Sequence, residues 1–289
     1  MRKLSGATCV YRAMKILAAL ALVVAAATTA HAQYTESAGQ SKPKLQVASD
    51  EHGNAKGNQY DLAIDGAFKG QTIAVIQLYN FDFSSAAKAL GEKGFNVVRW
   101  TAMPSAKVLD EALAKSTQLW IIASSSVTLT DDHVAVIKRF WEAGHGLYIW
   151  GDNNPYYADA NVLGKALFKT TMEGDTLGDK PVDIQSEPGK PGLVPNLLLT
   201  TGLEHLYEGI TIATIHPSKE LRPFLVGSAG NVVAAYYERD GRRAIFDGGF
   251  TRLYNKWDTA GTARYVKNAA AWLVNYERFG DAVVAGAAR

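Results

Sequence analysis

Four short apolar runs alternate with longer amphipathic runs in the first half of the chain. The apolar runs lie at 72–78, 96–100, 119–123 and 147–150, and the runs between them predict helices at 84–93, 105–115 and 131–143. Strands that are apolar on both faces belong in a parallel sheet that is covered by helices on both sides. The alternation therefore predicts an α/β fold with a doubly wound, mainly parallel sheet.

Two features nearer the carboxyl terminus complete the predicted fold. Strand-like runs at 232–238 and 242–246 flank Asp240-Gly241, a dipeptide that is typical of a tight hairpin turn. Farther on, one apolar helical face is predicted from spacings of four, three and four residues between Tyr265, Ala269, Trp272 and Tyr276. We expect a C-terminal β-hairpin followed by a terminal helix.

The first 32 residues have the order of a secretory signal peptide. Basic residues precede an apolar stretch over 16–29, and Ala30-His31-Ala32 fits a cleavage site. The apolar stretch is shorter than the roughly 20 residues of a membrane-spanning helix. We therefore expect a periplasmic or secreted protein with no stable membrane anchor after cleavage.

Cleavage after Ala32 would change both the charge and the chemistry of the chain. Loss of four basic residues takes the formal charge from +2 to −2, so a nucleic acid is not an expected partner. The single cysteine, Cys9, lies in the predicted signal peptide. The mature chain would then have no thiol for catalysis, for a disulfide or for metal binding.

Composition predicts how the rest of the chain is organised. Residues 33–70 are rich in Ser, Lys, Gln, Gly and Asn and predict a flexible leader. One α/β domain is expected over 71–279, with a C-terminal tail at 280–289. Gly, Pro and Asp are frequent between 169 and 196, which indicates an excursion or flap rather than a second domain.

The order of elements and two motifs resemble the class I glutamine amidotransferase-like superfamily, including its trehalose-utilisation (ThuA-like) and uncharacterised exported members. The first motif is Leu129-Thr-Asp-Asp-His, followed by a helix and Gly144-His-Gly-Leu-Tyr-Ile-Trp-Gly151. The second is Gly241-Arg-Arg-Ala-Ile-Phe-Asp-Gly-Gly249. The resemblance covers 72–276 and implies a flavodoxin-like fold.

The positions that carry catalysis in that superfamily hold other residues in this chain. There, a cysteine follows the strand that matches 147–150, and a histidine ends the strand that matches 244–246. Here those places hold Gly151-Asp152-Asn153 and Asp247-Gly248-Gly249. Glutaminase activity is not expected, because it needs a thiolate that is activated by an imidazole.

Polar and aromatic residues follow the predicted strands at 147–150 and 242–246. Ligands of open parallel sheets bind at the carboxyl ends of the strands, near the point where the strand order reverses. The candidate ligand-binding residues are Asp152, Asn153, Asn154, Tyr156, Asp247, Arg252 and Tyr254. Asp152 and Asp247 are also the candidate catalytic residues.

Three interpretations of these residues remain open. In the first, Asp152 and Asn154 build an Asx-type turn and Asp247 anchors its glycine loop. In the second, Asp152, Asn154 and Asp159 bind Ca²⁺ or Mg²⁺, although their spacing matches no EF-hand loop. In the third, Asp152 and Asp247 hydrolyse a glycosidic or similar bond as a carboxylate pair, unless Arg252 neutralises them.

The function expected from these residues is ligand binding or protein interaction without catalysis. Exposed aromatic side chains can anchor sugars or partner proteins. The expected partner is a small molecule, a carbohydrate or a protein. No cofactor is expected, with bound Ca²⁺ or Mg²⁺ as the alternative. A hydrolase, possibly directed at carbohydrate, is the alternative.

Overall fold

The computed structural model of the protein describes residues 48–287, and only the backbone of residues 282–287. The predicted signal peptide, residues 33–47 of the predicted leader and the last two residues of the predicted tail lie outside this range. Within it, no helix has the length and the apolar character needed to cross a membrane.

Twelve strands form in the described part of the chain. They are β1 (Thr72–Gln77), β2 (Asn96–Trp100), β3 (Gln118–Ile122), β4 (Gly146–Trp150), β5 (Met172–Leu177), β6 (Pro181–Asp183), β7 (Gly192–Leu193), β8 (His205–Tyr207), β9 (Thr211–Ile215), β10 (Arg222–Val226), β11 (Val232–Arg239) and β12 (Arg242–Asp247).

Six α-helices and several short helical turns accompany them in the same range. The helices are α1 (Ser84–Glu92), α2 (Ala106–Leu113), α3 (Asp131–Glu142), α4 (Ala158–Leu163), α5 (Thr262–Leu273) and α6 (Tyr276–Ala287). The 3-10 turns are Asn58–Tyr60, Leu198–Thr200 and Phe250–Leu253, and a π-helical turn spans Gly164–Phe168.

Eight strands form the main sheet, in the order β2-β1-β3-β4-β12-β11-β10-β7. Neighbours from β2 to β12 are parallel, and this half has the strand order of a flavodoxin-like sheet. Neighbours from β12 to β7 are antiparallel. The predicted α/β fold with a mainly parallel, doubly wound sheet is confirmed.

The predicted hairpin joins β11 to β12. Asp240 and Gly241 both have positive φ, 54° and 66°. A two-residue turn of this kind needs left-handed backbone at both central positions, which aspartate tolerates and glycine adopts freely. The Asp-Gly pair therefore sets the register in which Ala244 faces Tyr237 and Asp247 faces Ala234.

Both faces of β1, β3, β4 and β12 are buried, as the apolar strands indicated, whereas the edge strand β2 is largely exposed. Trp120, Tyr148 and Trp150 belong to the core layer that also contains apolar residues of α1 and α5. The residues that alternate with them, such as Leu119 and Ile149, belong to the layer shared with α2 and α3. Successive strand side chains point to opposite faces, so a sheet covered on both sides needs apolar residues throughout.

The predicted terminal helix is two helices rather than one. The first ends at Leu273, and Asn275 adopts a left-handed φ of 58° while its side-chain amide donates to the carbonyls of Gly144 and Gly241. Tyr276 therefore leaves the apolar face to which its spacing assigned it and is 54% exposed. The helix that it begins runs past 279, the predicted end of the domain, to Ala287.

The excursion at 169–196 contains strands that pair with later parts of the chain. Within it, β5 pairs with β9 and β6 pairs with β8, each as a two-stranded antiparallel sheet. The third strand, β7, adds to β10 at the edge of the main sheet. The composition hid these strands because β6 and β7 have only three and two residues and β5 is mostly polar and exposed.

Residues 48–70 were predicted as part of a flexible leader, but they pack on the domain. Asn54 is buried and donates to the carbonyl of His205. Arg264 reaches Asp61 and the carbonyls of Ala55 and Gly57. These anchors are polar, so a composition poor in large apolar residues does not reveal them. The described domain therefore starts near residue 48 rather than 71.

Substitution of Asp61 tests this packing of residues 48–70, because Asp61 contacts both Lys93 and Arg264. Its side chain is 3% exposed and lies 2.8 Å from Lys93 Nζ and 2.9 Å from Arg264 Nε. Asp61→Asn removes the buried carboxylate that Lys93 and Arg264 share, which should lower the free energy of unfolding by about 3–5 kcal/mol in urea titrations.

Asp65→Asn is the matched control. Asp65 contacts the same ammonium group at 2.7 Å, but its side chain is 40% exposed. Its loss should cost under about 1 kcal/mol, because partly exposed ion pairs contribute little. Equal losses in the two variants would contradict the packing of residues 48–70 described above.

Candidate functional site

The candidate residues meet at the carboxyl edge of the parallel strands. Asp247 pairs with Trp150 where β12 lies beside β4, so the chain segments that carry Asp247 and Asp152 are neighbours, as the fold implied. The amide of Gly151 donates to the backbone carbonyl of Asp247 at 2.8 Å. One edge of the sheet therefore carries both carboxylates.

Asp247 is fully buried and its carboxylate is occupied by protein donors. Oδ1 accepts from the amide of Gly249 at 3.0 Å and from Arg252 Nη1 at 2.6 Å. Oδ2 accepts from the hydroxyls of Tyr265 at 2.7 Å and Tyr148 at 3.2 Å. Burial, together with the negative charge of Asp247, raises the pKa of Tyr265 well above its usual value, so this hydroxyl stays a donor.

Arg252 is also fully buried and fully engaged. Nε donates to the carbonyl of Tyr207 at 3.1 Å and Nη2 to that of Glu208 at 2.7 Å. Its Cζ lies 5.7 Å from the ring centroid of Trp150, a cation–π contact. The guanidinium has no exposed surface from which to bind a ligand.

This closed ion pair corrects two predictions. Asp247 and Arg252 were candidate ligand-binding residues, and Asp247 was half of the candidate hydrolytic pair. Both side chains have 0% exposure and point to each other. A carboxylate in this position cannot reach a bond in a substrate, so the two-carboxylate mechanism has no second acid.

Asp152 joins the loop after β4 to the turn Phe250–Leu253. It is 1% exposed, and Oδ2 accepts from the amide and the hydroxyl of Thr251 at 2.6 and 2.5 Å. Oδ1 accepts from the amide of Asn153 at 2.9 Å. Burial raises the pKa of Asp152 to about 7, against the opposing effect of these hydrogen bonds.

The three residues considered for a cation have separate partners. Asp159 is buried, and its carboxylate accepts from the amides of Thr128 and Leu129, both at 2.8 Å. Asn154 is exposed and its side-chain oxygen accepts from Tyr157 at 3.1 Å. Over residues 48–287, no group of three or more His, Cys, Asp or Glu side chains is arranged to hold a metal ion.

Asp159 therefore fixes the loop before α3 instead of binding a cation. The Ca²⁺ or Mg²⁺ site made from Asp152, Asn154 and Asp159 is not formed, because both carboxylates are taken up by backbone amides and hydroxyls of different loops. The interpretation that assigned these acids to turns and loops fits the contacts best.

Four partly exposed aromatic side chains line this edge, and we call them the aromatic row. In spatial order they are Tyr156, Tyr79, Phe81 and Tyr254, with successive ring centroids 4.9, 6.4 and 4.7 Å apart. Phe250 is buried beneath them, 5.1 Å from Tyr79. Tyr254 is 40% exposed and the other three are half-buried.

Tyr156 and Tyr254 were among the predicted ligand-binding residues, whereas Tyr79 and Phe81 were missed. The sequence contains a signal for them, since Tyr79, Phe81 and Phe83 alternate with Asn80 and Asp82 directly after β1. The end of β1 is also where the strand order reverses between β1 and β3, the usual place for a ligand in this kind of sheet.

The polar residues that neighbour the row in sequence differ in whether their side chains are already hydrogen-bonded within the protein. Asp82 accepts from the amide and the hydroxyl of Ser84 at 2.9 and 2.8 Å, so it serves the start of α1. Asn80 lies between Tyr79 and Phe81 in sequence and is exposed. Asn153 is partly exposed, and its side-chain amide donates to the carbonyl of Asn154 at 3.1 Å.

Comparisons with known proteins give similarity in fold only. No family model and no curated protein matches the sequence. Solved structures that are similar include a cytoplasmic protein, STM3548, from Salmonella typhimurium (12% identity, TM-score 0.42, 70% of this chain and 98% of that one). PurLQS from Thermotoga maritima is similar at 11% identity and a TM-score of 0.40, covering 71% and 99% of the two chains.

A third similar structure is the glutaminase domain of Trypanosoma brucei CTPS with bound acivicin. Its identity is 12% and its TM-score 0.38, with 70% of this chain and 94% of that chain covered. Similarity at this level does not show an activity.

The raised pKa of Asp152 predicts a pH dependence of stability. A carboxylic acid with a pKa of about 7 when folded and 3.8 when unfolded stabilises the fold fully below pH 3.8. That contribution is lost as the pH rises to about 7, at up to about 1.4 kcal/mol per pH unit.

Urea unfolding of the wild type and Asp152→Asn at pH 5 and pH 8 measures this loss. Asparagine does not titrate, so the difference in unfolding free energy between the two proteins isolates Asp152. The wild type should lose roughly 2–3 kcal/mol relative to the variant between the two pH values. A difference that is independent of pH would show that Asp152 is ionised throughout this range.

Proposed function

We propose that the protein is an exported, non-catalytic binding module with a glutamine amidotransferase-like fold, and that its ligand lies on the aromatic row. The observation that carries this proposal is the position of four partly exposed rings at the carboxyl edge of the sheet. Aromatic side chains offer large, rigid contact surfaces and lose little conformational entropy when a ligand binds.

The contacts at the same edge support binding over catalysis. Where the resembling superfamily keeps its cysteine this chain has Gly151-Asp152-Asn153, and where it keeps its histidine this chain has Asp247. Asp152 holds Thr251, and Asp247 holds Arg252. Both acids stabilise the loops that carry the rings, so neither is free to act on a substrate.

The signal peptide predicted at 1–32 supports export to the periplasm or the medium. There the module would meet small molecules, carbohydrates and other proteins. The net charge of −2 expected after cleavage gives no support for nucleic acid as the partner.

A thermal-shift screen of the chain from Gln33 tests this proposal. The probes are amino acids, nucleotides, neutral and charged sugars, CaCl₂ and MgCl₂. A ligand at 100 times its Kd stabilises the folded state by about 2.7 kcal/mol. We expect at least one organic probe to raise the Tm, and Tyr254→Ala to abolish that rise.

Tyr276→Ala is the matched control, since Tyr276 is an exposed tyrosine at the opposite end of the sheet. It follows α5, whose last residue, Leu273, lies against Gly146 at the start of β4. This variant should keep the full rise. A rise that survives in Tyr254→Ala, or that is lost in both variants, would contradict binding on the aromatic row.

A further inference from the structure

We infer that two copies of this chain pair through β2, edge to edge, across a two-fold axis at Val98. This dimer surface is separate from the aromatic row, and neither depends on the other. Three features of β2 support the pairing: its exposure at the edge of the sheet, the direction in which its backbone groups point and the self-complementary order of its residues.

The two edges of the main sheet differ in how they are protected. At one edge, β7 has only two residues, and Ile184 forms a bridge to its Leu193. At the other edge, β2 has five residues without proline, lysine or a bulge, and β1 is its only partner strand in the described range. Val98 at its centre is 43% exposed. Edge strands are normally shortened, covered or interrupted, so β2 is open to pairing with another chain.

Two residues of β2 point their backbone groups away from the sheet. The amide of Asn96 donates to the carbonyl of Gln71 at 2.9 Å, so Asn96 faces β1. Alternate residues of a strand bond to the same neighbour, so Val98 faces β1 as well. Val97 and Arg99 therefore direct their N–H and C=O groups outwards, where no backbone group of residues 48–287 pairs with them.

A second copy that runs antiparallel satisfies all of these outward groups. With the two-fold axis at Val98, Val97 of each copy lies opposite Arg99 of the other, and each such pair exchanges two hydrogen bonds. The two pairs together use every outward N–H and C=O of both strands. Val98 meets its own counterpart in a non-hydrogen-bonded pair, in which the side chains approach closely and leave the solvent.

The charge of Arg99 does not oppose this pairing. Its Nη1 donates to Gln77 Oε1 at 2.6 Å, and its Cζ lies 5.9 Å from the ring centroid of Phe83, so the side chain lies against its own copy. Hydrogen bonds from Ser84, together with the charge of Arg99, hold the pKa of Asp82 below its usual value. Since each arginine is balanced by an acid of its own copy, β2 brings no unbalanced charge to the pair.

Helix α2 adds surface on one side of the joined strands. Trp100 packs against the core layer that contains Leu109 of α2, and Val98 points to the same face as Trp100. A two-fold axis perpendicular to the sheet places both copies of α2 on that face, and Val108 of α2 is 44% exposed. A strand pair alone buries less than the roughly 1,200 Å² of a stable interface, so the dimer includes contact between these helices.

A cysteine at the axis tests the pairing directly. The chain from Gln33 contains no cysteine, so Val98→Cys supplies its single thiol. Opposite residues of a non-hydrogen-bonded pair have Cα atoms about 4.5 Å apart, within the range of a disulfide. Mild oxidation should therefore cross-link Val98→Cys into a covalent dimer. Leu177→Cys, at a 70% exposed residue of another sheet, should cross-link at least about tenfold more slowly, because its thiols meet only by collision.

Light scattering on the same chain without cysteine gives a second measurement. The wild type should have twice the monomer mass. Val98→Lys should raise the Kd of the dimer at least about tenfold, because two like charges would lie opposite each other. Arg99→Pro removes an outward N–H that a single copy does not use, and it should weaken the dimer similarly. Leu177→Lys should dimerise as the wild type does.

The outcomes decide between this dimer and other arrangements. A wild type that is monomeric at every concentration tested overturns the inference. Dimers that persist in both Val98→Lys and Arg99→Pro place the interface elsewhere, and cross-linking of Val98→Cys no faster than that of Leu177→Cys contradicts the two-fold axis at Val98. Loss of the dimer in Val98→Lys alone, with Arg99→Pro still dimeric, would overturn the strand pairing. If Arg99→Pro loses the circular dichroism spectrum of the wild type, Val98→Lys and the cross-linking rates decide.

Discussion

The buried ion pair between Asp247 and Arg252 organises the carboxyl edge of the sheet. It ties the end of β12 to the turn Phe250–Leu253 and, through the carbonyls of Tyr207 and Glu208, to the segment after β8. Breaking such a pair by removing one partner costs several kcal/mol, because the other charge stays buried without compensation. The ion pair therefore fixes the position of the turn Phe250–Leu253. The residues that contact this turn depend on the pair for their own positions.

Three successive residues of that turn have three different tasks. Phe250 lies under the aromatic row, Thr251 donates twice to Asp152, and Arg252 pairs with Asp247. The acids that first suggested catalysis thus position the rings that we propose for binding. Ligands of such sheets usually bind at this edge. Here the edge can present a binding surface, because Asp152 and Asp247 are both hydrogen-bonded to groups of the protein itself.

Much of this arrangement was predictable from the sequence, but not all of it. The apolar strands and Asp240-Gly241 predicted the parallel sheet and its hairpin, because burial and turn geometry act locally. The attachment of residues 48–70 was missed, since Asp61 finds Lys93 and Arg264 only after folding. Tyr79 and Phe81 were missed, although both follow the strand at the switch point. Asp152 and Asp247 follow neighbouring strands, but their burial also depends on distant partners, Thr251 for Asp152 and Tyr148 for Asp247.

Chemical labelling of carboxylates in the native protein tests the central claim most directly. Carbodiimide coupling to glycine ethyl ester, followed by peptide mass mapping, compares the reactivity of Asp152 and Asp247 with that of the exposed Asp82. If both buried acids serve the fold, Asp82 should be labelled while Asp152 and Asp247 stay unmodified until the protein is unfolded. Labelling of Asp247 in the native protein at a rate similar to that of Asp82 would contradict the closed ion pair and return both acids to consideration as reactive groups.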